Sequence, residues 1–395
     1  MKEFLAKLAK GFLHIFNLIR LKNPKYIFLR SYFPYQDNVQ AVLDEMIRQN
    51  INGDHIIFCA GNGFERYEGI NNVILLHCSK FKEIMLYTKS KYVIWDSSIY
   101  FNTKSIKKQI SFNLWHGVSF KNIGFLERKN EKPYRTSTHV VTYSPLFADK
   151  MAKAFGVPIN DIVLAGEPRN DYFAKPLNNS ELESFGIKLF NSETKLIMWM
   201  PTFRQSKNHN VNNGKLYPFG FPFLDIQTIC ELHEFCAENN IFLILKWHGS
   251  QVLPNIDNLD GFSHFCFLTT DDLTKTQTPL YSIVSRCHAL ITDYSSIFVN
   301  YLVLNRPICF AYDDLEDYIS DRGFMFDDIE ALMPGHKAKD FQSLKLFLKS
   351  IADSKDLYSD ERQKSIPLFN TNNDYFNSKR LVDFMNQSYF KNEKQ

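Results

Sequence analysis

The sequence predicts an α/β protein built on two doubly wound parallel sheets, and three observations support this. Short apolar runs alternate with runs of helical spacing along nearly the whole chain, which is the pattern of strands joined by crossover helices. The alternation stops at a polar connector over residues 176–194 and then begins again. A chain of 395 residues is also long enough for two domains, each with its own core.

Residues 1–22 are predicted to form an amphipathic helix. Lys7, Lys10, His14 and Asn17 make its polar stripe. The apolar stripe consists of Phe4, Leu5, Leu8, Phe12, Ile15, Phe16 and Ile19. A basic amphipathic helix is typical of a membrane-surface anchor, but a helix packed against the body of the protein would show the same stripes. A signal peptide is disfavoured because lysines interrupt the apolar segment and no small-residue cleavage site follows.

The next two units are predicted to be α/β domains over residues 24–175 and 190–355. Strands are expected at residues 26–29, 55–59, 73–76, 92–95, 110–115, 139–143 and 162–165, and then at 196–200, 241–246, 262–268, 289–291 and 307–311. Helices are expected at residues 39–48, 81–88, 145–155, 224–238, 279–286, 297–304, 341–351 and 379–384. Two such domains face a central cleft at the carboxyl ends of their strands, and residues 356–395 should pack back toward it.

Composition narrows the function classes. A net charge of +3 is too small to argue for nucleic acid. The seven cysteines are scattered without a CxxC pair, which fits free thiols in the reducing cytoplasm better than a disulfide scaffold. No apolar run reaches the ~18 residues of a membrane span.

Residues 291–298 are the stretch around which the rest is organised. A buried strand is expected to end at Asp293, and a helix to begin after Ser295 and Ser296. The first backbone N–H groups of a helix lack partners and carry the positive end of its dipole, so this junction can bind an anion such as a phosphate. Alternatively, the serines only cap the helix.

Five further polar clusters also follow predicted strands. They are Trp115-His116-Gly117, Gly166 to Asp171 with Arg169, Thr202-Phe203-Arg204, Lys246-Trp247-His248-Gly249, and Asp314-Leu315-Glu316 with Arg322. Each alone could be a turn, a surface ion pair or a solvated loop. Together, two histidines, several cations and a helix N-terminus in one cleft suit a diphosphate.

The sequence does not predict a metal or a cofactor. No His, Cys or Asp spacing matches a zinc site, and no paired Asp-x-Asp accompanies the diphosphate candidate. The P-loop pattern is also missing from the sequence. The charge of a leaving group would then be offset by the helix terminus and by side-chain cations.

These motifs, in this order, resemble the CDP-glycerol glycerophosphotransferase family, which includes the polymerases and primases of teichoic acid synthesis and related capsule polymerases. The resemblance covers residues 90–330 and includes Lys121, Gly124, Arg306-Pro307 and Tyr318 besides the clusters above. It implies a GT-B fold with two Rossmann-like domains, CDP-glycerol as the usual donor, and peripheral attachment to the inner face of the cell membrane. It also implies that His116 and His248 are essential, that Ser295 and Ser296 bind the donor, and that Glu316 contacts the nucleotide.

The resulting hypothesis is transfer of a polyol-phosphate unit from a CDP-polyol to a hydroxyl of a lipid-linked or polymeric polyol-phosphate or glycan acceptor. His116 would be the general base. His248 would be the second catalytic residue, and the donor side would comprise Arg204, Lys246, Asp293, Ser295, Ser296, Glu316 and Arg322. The acceptor side would comprise Lys121, Arg169 and Asp171.

The chain departs from the family at residues 118–120, where the family often reads Thr-Pro-Leu, and at Gly249, where it often has Pro. Two other functions also fit the sequence. One is a GT-B glycosyltransferase that uses a nucleotide sugar, and the other is a non-catalytic, membrane-docked assembly protein of the same fold. The products released from CDP-polyols and nucleotide sugars would separate them.

Overall fold

The computed structural model describes residues 2–36, 38–97, 99–100, 103–118, 120–128, 130–204, 214–248 and 261–391, with side chains from residue 8 onward. Gly249 and the side chains of Phe4, Leu5 and Lys7, which enter the sequence analysis, lie outside the described residues.

The first sheet has seven parallel strands within the described part of the chain, in the order β3-β2-β1-β4-β5-β6-β7. They are β1 (Asn23–Ser31), β2 (Ile56–Gly61), β3 (Val73–Leu75), β4 (Ser90–Trp95), β5 (Ile110–Asn113), β6 (His139–Val141) and β7 (Ile162–Val163). Helices α2 (Asn38–Arg48), α3 (Ile51–Asp54), α4 (Lys80–Lys89) and α5 (Pro145–Phe155) connect them. Ile27, Phe28 and Leu29 of β1 are fully buried, as expected of a strand covered on both faces.

The second sheet has six parallel strands among the described residues, in the order β10-β9-β8-β11-β12-β13. They are β8 (Lys195–Trp199), β9 (Ile241–Lys246), β10 (Phe265–Leu268), β11 (Ala289–Thr292), β12 (Ile308–Ala311) and β13 (His336–Ala338). The helices of this part are α6 (Asn179–Glu183), α7 (Ile226–Glu238), α8 (Thr270–Thr276), α9 (Leu280–Val284), α10 (Ile297–Tyr301), α11 (Leu315–Asp321) and α12 (Phe341–Ala352).

The end of the chain returns to the first sheet. Helix α13 (Ser359–Phe369) is followed by α14 (Asn377–Met385). Leu381, Val382 and Met385 of α14 are buried in the same hydrophobic cluster as residues of β1 and α2. We call β1–β7 with α2–α5 and α14 the first lobe, and β8–β13 with α6–α12 the second lobe. The predicted domain boundaries remain predictions.

Helix α1 (Lys2–Ile19) lies against the first lobe through its polar stripe. Asn17 is buried and donates to Gln109 Oε1 at 3.1 Å, and Lys10 Nζ donates to the Tyr134 hydroxyl at 2.5 Å. The apolar stripe faces outward instead, with Phe12 exposed by 74%. Leu8, Ile15 and Ile19 are exposed as well. The helix therefore does pack on the body of the protein, with Leu8, Phe12, Ile15 and Ile19 of its apolar stripe exposed and Phe16 half-buried.

The sequence does not predict β13, α3, α6, α8, α11 or α13. Strand β13 is a three-residue edge strand with a polar start, so it has no apolar run to reveal it. Helix α13 contains Pro367 and few regularly spaced apolar residues. The predicted strands and helices otherwise recur with ends that differ by a few residues, as expected for boundaries.

Candidate functional site

The carboxyl ends of the two sheets meet at one cleft. In each sheet the strand order reverses, between β1 and β4 and between β8 and β11, and such switch points are where α/β sheets bind ligands. The ring of Phe33, after β1, lies 5.9 Å from the ring of His248, after β9. Lys121 Nζ lies 5.7 Å from the centre of the Phe203 ring, after β8. Lys121 and Phe324 also form an antiparallel bridge between the lobes.

The two histidines that the sequence singles out both contact the same aromatic ring in this cleft. The Phe33 ring lies 6.3 Å from the ring of His116 and 5.9 Å from that of His248. His116 follows β5 on a sharp turn in which Trp115 has φ of 50° and Gly117 has φ of 114°. Glycine adopts a positive φ freely, but Trp115 does not, so the conformation of Trp115 is held by its surroundings rather than by local preference.

Enclosure in the cleft keeps both imidazoles neutral. Removal from water, followed by the positive charges of Arg169 and Lys121, lowers the pKa of His116 to about 3. Removal from water also lowers the pKa of His248 to about 3, with Lys121 and Lys246 adding to the effect. A neutral imidazole can accept a proton at one nitrogen and donate an N–H from the other. Both histidines are therefore neutral and able to hydrogen-bond at neutral pH, and the negative charge of a bound diphosphate would raise the pKa of His116 toward the range of a general base.

Ser295 and Ser296 lie between β11 and α10, as the sequence predicts. Ser296 stands at the N-cap position, but its side chain makes no capping hydrogen bond. A Cβ built on Gly117 would lie only 3.0 Å from Ser296 Oγ. The serine hydroxyl therefore points to the turn that carries His116, and the capping explanation does not account for Ser296.

A buried carboxylate shapes this junction. Asp293 is fully buried, and its Oδ1 accepts hydrogen bonds from the backbone N–H of Thr202 (2.9 Å), the Thr202 hydroxyl (2.8 Å) and the backbone N–H of Ser295 (3.1 Å). The other oxygen lies 2.8 Å from Arg204 Nη1. Asp293, predicted to bind the donor, thus positions the serine turn from behind.

Arg204, also predicted to bind the donor, is engaged inside the second lobe. It is 2% exposed, and its Nε and Nη2 donate to Asp314 at 2.7 and 3.1 Å. The remaining nitrogen, Nη1, lies 2.8 Å from Asp293 Oδ2 and donates to the Thr202 carbonyl at 3.0 Å. The guanidinium faces two carboxylates, so its charge is already neutralised. Arg204 as a donor-binding cation stays a prediction, and in this structure its guanidinium is engaged by these two carboxylates.

Two lysines instead supply positive charge at the cleft. Lys121 comes from the first lobe, where the sequence analysis assigns it to the acceptor side, but it reaches Phe203 of the second lobe. Lys246 ends β9 and donates to the Trp247 carbonyl at 2.8 Å. Burial, the largest effect in each case, lowers the pKa of both lysines to about 8. Both are mainly protonated at neutral pH.

The remaining donor-side candidates lie at the rim. Arg322 Nη1 pairs with Glu127 of the first lobe at 2.6 Å, and both side chains are partly exposed. Glu316 is exposed in the first turn of α11, whose N-cap residue Asp314 pairs with Arg204. Glu316 is thus beside the second-lobe half of the cleft but does not form its floor.

The two other acceptor-side candidates have structural partners. Arg169 is buried, and its Nη2 donates to the His116 carbonyl at 3.1 Å and lies 3.1 Å from Glu167. The carboxylate of Asp171 accepts from the backbone N–H groups of Asn377 (2.9 Å) and Ser378 (2.8 Å). Asp171 therefore caps α14 in this structure, and its expected position facing an acceptor stays a prediction.

Five residues that belong to the cleft or support it are missing from the predicted site: Phe33, Asn38, Glu167, Asn300 and Asp314. Glu167 and Asp314 lie in the same motifs as Arg169 and Glu316, so the sequence does contain a signal for them. Phe33 and Asn38 follow a strand without any recognisable motif. Asn300 lies within an apolar helix, and the sequence does not show whether a single polar residue there is buried with partners or exposed to solvent.

No group of three or more His, Cys, Asp or Glu side chains in the described part of the chain is placed to hold a metal ion. The expectation that no metal is required stays a prediction.

The family comparison agrees with these motifs. The sequence model described as CDP-Glycerol:Poly(glycerophosphate) glycerophosphotransferase matches residues 12–387. The chain belongs to this family.

Individual members of the glycerophosphotransferase family resemble the chain at moderate identity. The teichoic acid ribitol-phosphate polymerase TarL of Staphylococcus aureus is 27% identical over 87% of this chain and 59% of its own length. A teichoic acid poly(glycerol phosphate) polymerase of Bacillus spizizenii is 25% identical over 91% of this chain and 92% of its own. The chain spans 53–64% of the three ribitol-phosphate polymerases that it matches first.

A solved structure of the wall teichoic acid polymerase TagF superposes with a TM-score of 0.72 at 18% identity, over 99% of this chain and 96% of the other. Together with the two parallel sheets, this similarity confirms the predicted GT-B fold.

We predict that Arg204→Gln destabilises the protein far more than Arg322→Gln. Removing Arg204 leaves Asp293 and Asp314 buried without their cation, which costs about 3–5 kcal/mol. The Arg322–Glu127 pair is solvated, and its loss should cost under about 1 kcal/mol. Urea denaturation of both variants measures the difference in free energy of unfolding. Equal, small losses would contradict the structural role of Arg204.

Proposed function

We propose that this protein transfers a polyol-phosphate unit from a CDP-polyol to a hydroxyl group of a polyol-phosphate acceptor and releases CMP. CDP-glycerol is the first donor to test, because the family description names it. The relatives are named for teichoic acid polymerisation, so a teichoic acid or a related capsular polymer is the expected product. The observation that carries the proposal is the approach of Ser296 to Gly117, which brings the serine turn next to His116.

In this proposal the donor diphosphate lies at the serine turn. The backbone N–H groups and hydroxyls of Ser295 and Ser296 bind its oxygens. Lys121 and Lys246 neutralise its charge, and His248 donates an N–H to the phosphate that leaves with cytidine. Glu316, at the rim, accepts hydrogen bonds from the ribose hydroxyls.

The reaction then needs one proton transfer and one in-line displacement. The acceptor hydroxyl attacks the phosphorus that carries the polyol, and His116 accepts the hydroxyl proton. The bond from this phosphorus to the bridging oxygen breaks, and CMP leaves with that oxygen. A phosphodiester between acceptor and polyol results. Positioning and charge neutralisation supply most of the acceleration in such reactions.

We predict that His116→Ala lowers CMP release by about 10²–10⁴-fold, because it removes the base, while the affinity for CDP stays nearly unchanged. CMP release from CDP-glycerol, with a short glycerol-phosphate acceptor and with or without a chelator, measures this. His77→Ala, which alters an exposed histidine after β3, is the control.

Three outcomes would contradict the assignment. Equal losses of CDP affinity and turnover in His116→Ala would remove the base role. Release of a nucleoside diphosphate from nucleotide sugars, without CMP, would indicate a glycosyltransferase. Tight CDP binding without turnover of CDP-glycerol or CDP-ribitol would favour a non-catalytic assembly protein.

The lysines give the proposal a pH dependence. Because burial lowers the pKa of Lys121 and Lys246 to about 8, each loses its charge as the pH rises through 8. We predict that CDP affinity falls about tenfold between pH 7 and pH 9 for each lysine that contacts the diphosphate. Calorimetric titration of wild type, Lys121→Gln and Lys246→Gln at both pH values measures the slope. An unchanged dissociation constant would mean that neither lysine binds the donor.

We further propose that α1 holds the protein at the inner face of the cell membrane, where a lipid-linked acceptor is available. The outward apolar stripe of α1 suits insertion at the boundary between headgroups and acyl chains. No described helix has the length and apolar content to cross a bilayer. Seven free cysteines fit a reducing cytoplasm.

We predict that Phe12→Asp combined with Ile15→Asp strongly reduces co-sedimentation with phosphatidylglycerol vesicles, because both exposed side chains would carry charge into the lipid interface. Leu346→Asp is the matched control, since Leu346 of α12 is 69% exposed, between the values for Ile15 (60%) and Phe12 (74%), but lies on the second lobe. Equal sedimentation of the double variant and wild type would rule out this anchor.

A further inference from the structure

Asn300, a buried residue of the second lobe, hydrogen-bonds through its side-chain amide to residues of the first lobe. Asn300 lies on α10, directly after the serine turn, and is fully buried. Its Nδ2 lies 2.8 Å from the Tyr143 hydroxyl, 2.8 Å from Glu167 Oε2 and 2.7 Å from Asn170 Oδ1. All three oxygens belong to the first lobe. A buried amide in this position ties α10 to the other side of the cleft.

The partners of Asn300 lead to the backbone of His116. Glu167 Oε1 lies 3.1 Å from Arg169 Nη2, and the same nitrogen donates to the His116 carbonyl at 3.1 Å. Asn38 Nδ2 donates to both Glu167 Oε1 and the Trp115 carbonyl at 3.0 Å. The carbonyls of Trp115 and His116 are therefore both held by groups around Glu167. These bonds stabilise the turn whose left-handed backbone at Trp115 is otherwise unfavourable.

We infer that Asn300 is a positioning residue that fixes the serine turn relative to His116. This inference rests on the proposed function, since it assigns the serines to the donor and His116 to proton transfer. Asn300 acts through Glu167 and Arg169 and does not contact the reacting atoms. Its loss leaves buried oxygens of Glu167 and Asn170 without a donor. A displacement of about 1 Å between reacting groups is enough to cost about 10²-fold in rate.

A second buried asparagine provides a matched control. Asn370 Nδ2 donates to the carbonyl of Val299, on the same helix, at 3.0 Å. Asn370 is also buried, but it belongs to the segment between α13 and α14. It therefore steadies α10 without a bond to Glu167 or Arg169. If Asn300 contributed to stability alone, alanine at either position would have a similar effect on kcat.

The first test compares Asn300→Ala with Asn370→Ala in the full chain, using CMP release from CDP-glycerol. We expect kcat to fall about 10²-fold for Asn300→Ala with KM for CDP-glycerol within about twofold, and to change less than about threefold for Asn370→Ala. Thermal denaturation shows whether both variants fold. Similar kcat losses in the two variants, or a loss confined to KM, would overturn the positioning role.

An isosteric variant adds a pH signature. In Asn300→Asp the amide that donates to Glu167 becomes a second carboxylate, flanked by Tyr143 and the Arg169 cation. The new carboxyl group and that of Glu167 repel each other when both are ionised. A proton bound by one of them restores a hydrogen-bond donor between the two side chains. We expect kcat of Asn300→Asp to rise as the pH falls, while wild type stays flat over the same range. A parallel pH profile for both would contradict the bond from Asn300 to Glu167 as the cause.

The imidazole itself supplies a readout that does not need turnover. In ¹⁵N-histidine-labelled protein, with the His116 signals assigned from His116→Gln, Asn300→Ala should shift the imidazole resonances of His116 and Asn370→Ala should not. If the wild-type protein releases no CMP, the proposed reaction is wrong, but this spectrum still shows whether Asn300 positions His116. Unshifted His116 resonances in a folded Asn300→Ala protein would overturn the inference.

Discussion

The candidate site depends on the buried carboxylate of Asp293, which has no contact with solvent and yet serves three neighbours. It accepts from Thr202 after β8, accepts from the backbone of Ser295 after β11, and pairs with Arg204. Arg204 in turn reaches Asp314 after β12. Three strand ends of the second sheet are thereby fixed to one another. A charge buried in this way is tolerated only when its partners stay in place, so the serine turn receives a rigid support.

The first lobe meets this support along a continuous buried surface. Phe120 of the first lobe stacks on Phe298 of the second with ring centres 4.9 Å apart, and both belong to one hydrophobic cluster. The polar contacts of Asn300 lie beside that apolar contact. The cleft is therefore closed at its base and lined with neutral imidazoles, the buried Lys246 and the half-buried Lys121. Such an environment favours binding of an anionic donor and exclusion of water, both of which suit displacement at phosphorus.

The sequence predicts the architecture well because apolar runs and polar strand ends are local signals. Residues 291–298 show this best, since the strand, the serines and the following helix are all where the pattern places them. Partners across space have no such signal. The strand-end motifs of Arg204 and Asp171 indicate ligand contacts, but they give no signal of the partners, Asp314 and the start of α14, which lie about a hundred residues or more away. Phe33 contacts both histidines, but nothing near it in the sequence marks that contact. The orientation of α1 is a similar case, because its stripes predict amphipathicity and not which stripe meets the protein.

The proposed reaction requires that the serine turn of the second lobe and His116 of the first lobe act on the same donor molecule. A crystal structure of His116→Gln with CDP-glycerol tests it most directly. We predict that the diphosphate contacts the backbone of Ser295 and Ser296, and that the glycerol-bearing phosphorus faces the side chain at position 116. Cytidine and diphosphate bound elsewhere, or a phosphorus turned away from position 116, would contradict the proposed reaction.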